Sequence, residues 1–106
     1  MAMIMIASPD KEWTARVERI LVDAKYDVSV MHDVGEAFDS LAQVWCDFVI
    51  STEQGFLRRL TALPQYSHIP TMLDSRAGDG TIVEHSLPRI AEMIRRRDEH
   101  VLRERQ

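Results

Sequence analysis

Side chains able to do chemistry gather where apolar runs break off: Ser8-Pro9-Asp10, His32-Asp33, Ser51-Thr52-Glu53, Asp74-Ser75 and Glu84-His85. The carboxylates of Asp10, Asp33, Glu53 and Asp74 are hard oxygen donors of the kind a divalent cation takes, and Ser51, Thr52 and Ser75 carry hydroxyls that a kinase can phosphorylate. The same residue types also cap helices and close turns, and that plainer role is the expectation preferred here. His32, His68, His85 and His100 include no i, i+4 pair, and the single Cys46 forms no thiolate cluster, so zinc binding is not expected. Cys46, with no cationic cluster beside it, reads as a small buried apolar residue. No Gly-rich phosphate loop, nucleotide fingerprint or G-x-S-x-G elbow occurs, and the expectation is a protein with no cofactor that is not an enzyme.

Those clusters are positioned by alternating strands and helices. Met1 to Ala7 is apolar but lacks the basic lead-in of a signal peptide, and reads as a buried strand. Trp13, Val17, Ile20, Leu21 and Ala24 then recur at helical spacing, opposite a charged face. Val28 to Met31 is a second strand, and Ala37, Phe38, Leu41 and Val44 stripe a second helix. Phe48-Val49-Ile50 is apolar without alternation, as in a strand covered on both faces. A third helix carries Phe56, Leu57, Leu60 and Leu63 as far as Pro64, and Ile69 to Leu73 supplies a fourth strand. Thr81-Ile82-Val83 reads as a minimal fifth strand, followed by a last helix bearing Leu87, Ile90, Met93 and Ile94. The order predicts an open parallel α/β sheet, whose binding crevice lies at the carboxyl ends of its strands.

Composition sets limits. The 106 residues suit one domain, 1–106, in which 95–106 forms a charged, helix-favouring C-terminal tail. A net charge of −4 argues against nucleic acid or an anionic membrane as partner, because both require a positive field. The lone cysteine fits a reducing compartment, and the expected location is cytoplasmic.

Several segments resemble the bacterial response-regulator receiver domain of two-component systems. "KYDVSVMHDVGEAFDSL" is similar to that family's second strand and helix, and "CDFVIST" to the strand carrying its phosphate-accepting aspartate. "LRRLTALPQYSHIP" resembles the third helix with its exit, and "SLPRIAEMIRRR" the last helix. The resemblance implies a flavodoxin-like sheet of five strands in the order 2-1-3-4-5, with helices on both faces and a fourth helix short or missing. It also implies where the family's Mg²⁺-binding acids, aspartate, hydroxyl residue and lysine would fall: Ser8 and Pro9, Thr52, Ser75, and Glu84 or His85. Ser75 alone keeps the family pattern. Neither Ser8 nor Pro9 supplies a carboxylate for Mg²⁺, and Thr52 cannot form an acyl phosphate.

The expectation is therefore a pseudo-receiver, an atypical receiver acting as a phosphorylation-independent adaptor that binds another signalling protein: a kinase, a phosphotransferase or a neighbouring domain. The first and last helices offer its surface, with Arg16, Arg19, Arg89, Met93, Arg96, Arg97 and Val101 as candidate contacts. Two alternatives stand beside it. One is a dimerisation or regulatory domain of a larger hybrid kinase or transcription regulator, for which a homodimer through the tail is one form. The other is a small-molecule or metal sensor using a remodelled strand-end crevice.

Overall fold

The structure is a computed structural model that describes residues 2–74 and 80–105, with side chains as far as Glu99. The apolar runs form four parallel strands: β1 (Met3–Ala7), β2 (Asp27–Met31), β3 (Phe48–Ser51) and β4 (Thr71–Leu73), in the order β2-β1-β3-β4. Register brings Ala7 beside both Met31 and Ser51, and Ser51 beside Leu73, so the strands end level with one another. The clusters that follow them in sequence therefore meet along one edge.

Successive strand residues point to opposite faces, and here both faces are covered. Ile4, Ile6, Phe48 and Ile50 pack against Trp13, Val17 and Leu21 of α1 (Lys11–Asp23), Val83 of α4 (Thr81–His85), and Ile90 and Ile94 of α5 (Leu87–Arg105). Met5, Ala7 and Val49 pack against Ala37 and Leu41 of α2 (Val34–Gln43) and Phe56, Leu57 and Leu60 of α3 (Gln54–Ala62). This explains why β3 reads as an unbroken apolar run.

The helix starts follow from local chemistry. Asp10 accepts the Glu12 and Trp13 backbone N–H groups at 3.1 Å, and Asp33 accepts that of Glu36 at the same distance. Each cap satisfies donors that have no partner in the first helical turn. Pro64 follows the end of α3, where it cannot continue the helix.

The expected fifth strand is corrected. Thr81-Ile82-Val83 begins α4, so the sheet among the described residues has four strands rather than five. Local β propensity loses to burial, because Val83 is fully buried in the layer of α1 and α5. Gly80 makes the entry possible: its φ is 73°, and a Cβ there would lie 3.2 Å from Val17 Cγ2. The expected short fourth helix is present as the five-residue α4, packed on α1. No described helix is long and apolar enough to cross a membrane.

Candidate functional site

At the carboxyl edge of the sheet, the residues after β1 and β3 close on each other. Ser8 is buried, and its Oγ lies 2.6 Å from Thr52 Oγ1. Thr52 donates to Glu53 Oε2 at 3.0 Å; a carboxylate can only accept, so the proton between the two hydroxyls belongs to Ser8. Ser8 Oγ in turn accepts the Asp10 N–H at 3.1 Å. The result is a directed chain from Asp10 N–H through Ser8 and Thr52 to the Glu53 carboxylate. Ser51 sits beneath it, donating to the Ala7 carbonyl at 2.6 Å and accepting the Glu53 N–H at 2.9 Å. His32 Nδ1 lies 3.2 Å from the Ser8 carbonyl.

This chain consumes the polar groups on which a receiver-type reaction would depend. The crevice beside it, bounded by Ser8, Pro9, His32, Asp33, Glu53 and Phe56, has a volume of about 10 Å³. That is about the room one water molecule needs, so the crevice is shallow. The carboxylates do not converge either: Asp10 and Asp33 cap helices, and Glu53 accepts from Thr52. Asp74 is buried at 1% exposure and accepts the Trp13 indole N–H at 2.9 Å. Among the described residues no group of three His, Cys, Asp or Glu side chains is placed to hold a metal. The described residues at this edge thus do not fit the Mg²⁺ ion that receivers bind.

Of the positions matched to the family's site, Ser8 and Thr52 meet, and Pro9 borders them on the exposed rim. Glu84 and His85 are corrected: both lie exposed on α4 in the α1 and α5 layer, not after a strand. Ser75 lies outside the described residues.

The candidate interface divides. Arg16, Arg19 and Arg89 are exposed, in a layer that also exposes Val22 and Ile82. Met93 is half-buried against the inner cluster, and Arg96 is exposed and paired to Glu92 at 3.1 Å. The Val101 side chain lies outside the described set. Arg97 is corrected as a surface contact, because it is only 6% exposed. Its Nη1 donates to the Cys46 carbonyl at 2.8 Å and to Asp47 Oδ1 at 3.1 Å, tying α5 to the start of β3. Burial pulls the guanidinium below its ordinary pKa, against the opposing influence of Asp47. One signal for this was available: Ile90, Ile94 and Arg97 continue a single i, i+4, i+7 stripe, so Arg97 occupies a buried-face position. The Trp13–Asp74 contact joins residues 61 apart and had no local signal.

No protein-family model matches the chain, and no curated protein matches it at a significant level. Solved structures do. The chemotaxis response regulator CheY4 of Vibrio cholerae superposes with a TM-score of 0.62 at 24% identity, covering 79% of this chain and 77% of that one. The signal receiver domain of an HD domain-containing protein from Pseudomonas fluorescens Pf-5 gives 0.64 at 18% identity, covering 93% and 95%. The chain therefore has a receiver-like fold, with four parallel strands among its described residues.

Proposed function

We propose that this chain is a phosphorylation-independent protein-binding module of a bacterial signal-transduction pathway, a pseudo-receiver. The observation that carries the proposal is the Ser8–Thr52 hydroxyl pair at 2.6 Å, at positions that the receiver resemblance matches to the carboxylates for metal and phosphate. With no carboxylate at Ser8 or Pro9 for Mg²⁺ and none at Thr52 to form an acyl phosphate, the fold keeps its surfaces and loses the chemical switch. The working surface is the α1, α4 and α5 layer, where Val22 is 51% exposed, Ile82 is 38% exposed, and Arg16, Arg19 and Arg89 lie at the surface. Exposed apolar side chains and arginines in one layer suit a partner that offers apolar and acidic groups.

A dimerisation or regulatory role within a larger assembly has one observation in its favour. The 19 residues of α5 span about 28 Å, against about 17 Å for a five-residue strand, so the helix overshoots the sheet. The strand-end sensor has no such support in a crevice of about 10 Å³.

The test is partner capture with the chain before and after treatment with acetyl phosphate and Mg²⁺, alongside an Arg16→Glu, Arg19→Glu, Arg89→Glu variant. The expected result is the same bound signalling protein in both treatments and its loss from the variant. Capture that depends on acetyl phosphate would overturn the proposal.

A further inference from the structure

At the opposite edge of the sheet, where the strands begin, we infer that Arg97 and Trp45 form a binding site for a small aryl carboxylate. The inference does not depend on the pseudo-receiver proposal, because it concerns different residues at the other end of the fold.

The central observation is an incompletely paired buried cation. Arg97 is 94% buried; its Nη1 is engaged by Cys46 and Asp47, but Nε and Nη2 have no hydrogen-bond partner among the described residues. Nε and Nη2 present the side-on fork of a guanidinium, two parallel N–H vectors matched to the two oxygens of a carboxylate. Asp47 is not free to fill it, because Oδ2 accepts the Met3 N–H at 2.8 Å and Oδ1 accepts both Arg97 Nη1 and the Trp45 indole N–H. Burying such donors unpaired is costly, and an incoming carboxylate relieves that cost.

The second observation is the space beside it. A groove of about 210 Å³ is lined by Leu41, Trp45, Tyr66, His68, Ile69 and Arg97. An apolar cavity of about 150 Å³ already accepts a benzene ring, so an aromatic ring fits between the aliphatic wall and Trp45 while its carboxylate turns toward Arg97. The third is a cover able to move. Trp45 lies over the guanidinium, with the Arg97 Cζ 4.2 Å from the ring centroid, yet remains 59% exposed. Its indole is held by an exposed hydrogen bond of 2.8 Å to Asp47 and rests 5.9 Å from the His68 ring. A small shift of this exposed ring admits the ligand: its carboxylate pairs with Nε and Nη2 in the guanidinium plane, while its ring lies in the groove beside Trp45, against Leu41 and Ile69.

Nitrogen-15 NMR of the full chain titrated with benzoate tests the site. The Trp45 indole N–H and the Arg97 Nε–H signals are expected to shift and saturate together, while the buried Trp13 indole signal stays in place. Benzyl alcohol, which keeps the ring without the charge, and acetate, which keeps the charge without the ring, are expected to give no saturation. Arg97→Lys keeps a cation without the side-on fork and is expected to bind benzoate about tenfold more weakly or worse. Arg97→Met is expected to abolish binding; if it does not fold, the Lys variant and the two control ligands decide. Shifts linear in benzoate, saturation by either control, or unchanged affinity in Arg97→Lys would overturn the assignment and leave Arg97 as a structural tie alone.

Discussion

Replacing Arg97 with methionine is expected to leave stability within about 1 kcal/mol of the parent, whereas Asp47→Ala costs about 3–5 kcal/mol. The two residues share one ion pair, so the asymmetry tests how that pair is built. Removing the guanidinium forfeits its bonds to the Cys46 carbonyl at 2.8 Å and Asp47 at 3.1 Å, and the stacking on Trp45. Charged hydrogen bonds contribute about 1.5–3 kcal/mol each and an exposed cation–π contact about 0.5–1 kcal/mol. Against this, the variant no longer desolvates a cation, nor leaves Nε and Nη2 unpaired at about 1–3 kcal/mol each. Asp47 keeps the Met3 and Trp45 N–H donors, and methionine fills the space. Asp47→Ala gains nothing of this kind: it strands the buried guanidinium and takes the acceptor from Met3 and Trp45 together. Urea unfolding followed by far-ultraviolet circular dichroism measures both variants, and the gap of about 3 kcal/mol corresponds to roughly 12 °C or more in melting temperature. An Arg97→Met variant as unstable as Asp47→Ala would refute the reasoning.

Other expected outcomes follow from the same contacts. Gly80→Ala is expected to cost about 1–2 kcal/mol in urea unfolding, because alanine resists a φ of 73° and its Cβ meets Val17 and Ile20 at 3.2 and 3.3 Å; an unchanged midpoint would contradict the left-handed entry to α4. The Cys46 thiol has its pKa raised, chiefly by burial, so it stays protonated at neutral pH and its thiolate appears only as pH rises past the ordinary thiol range. Alkylation by iodoacetamide at pH 7.5 (about one unit below a free thiol) is accordingly expected to be slow in the native chain and fast in urea, and equal rates would contradict it. Thr52→Asp is expected not to accept phosphate from acetyl phosphate, by intact mass, because Ser8 and Pro9 still offer Mg²⁺ no carboxylate; a phosphorylated product from this single change would mean another residue supplies the metal site.

Much of the fold was legible because its periodicities are local. The α1 stripe of Trp13, Val17 and Leu21, the uniform apolar run of β3 and the Asp10 and Asp33 caps all reflect interactions within a few residues. Thr81-Ile82-Val83 misled for the converse reason: three β-branched residues favour a strand locally, while burial of Val83 beside α1 decides the conformation from far along the chain. The strand-end cluster was legible as positions but not as a network, because the Ser8–Thr52 contact spans 44 residues and depends on β1 and β3 ending in register. Arg97 was hidden by its type. An arginine on a helix reads as a surface residue, and only its place after Ile90 and Ile94 marked it as buried.

The most direct test of the proposed phosphorylation independence is thermal unfolding of the purified chain with and without Mg²⁺ plus beryllofluoride, the acyl-phosphate mimic. A ligand that binds only the folded state at a hundred times its dissociation constant adds about 2.7 kcal/mol, which at this chain length raises the melting temperature by about 10 °C. The expected result is no shift beyond that produced by Mg²⁺ alone. A specific rise that disappears in Thr52→Val would contradict it, because a working phosphate site would then exist where Ser8 and Thr52 now face each other.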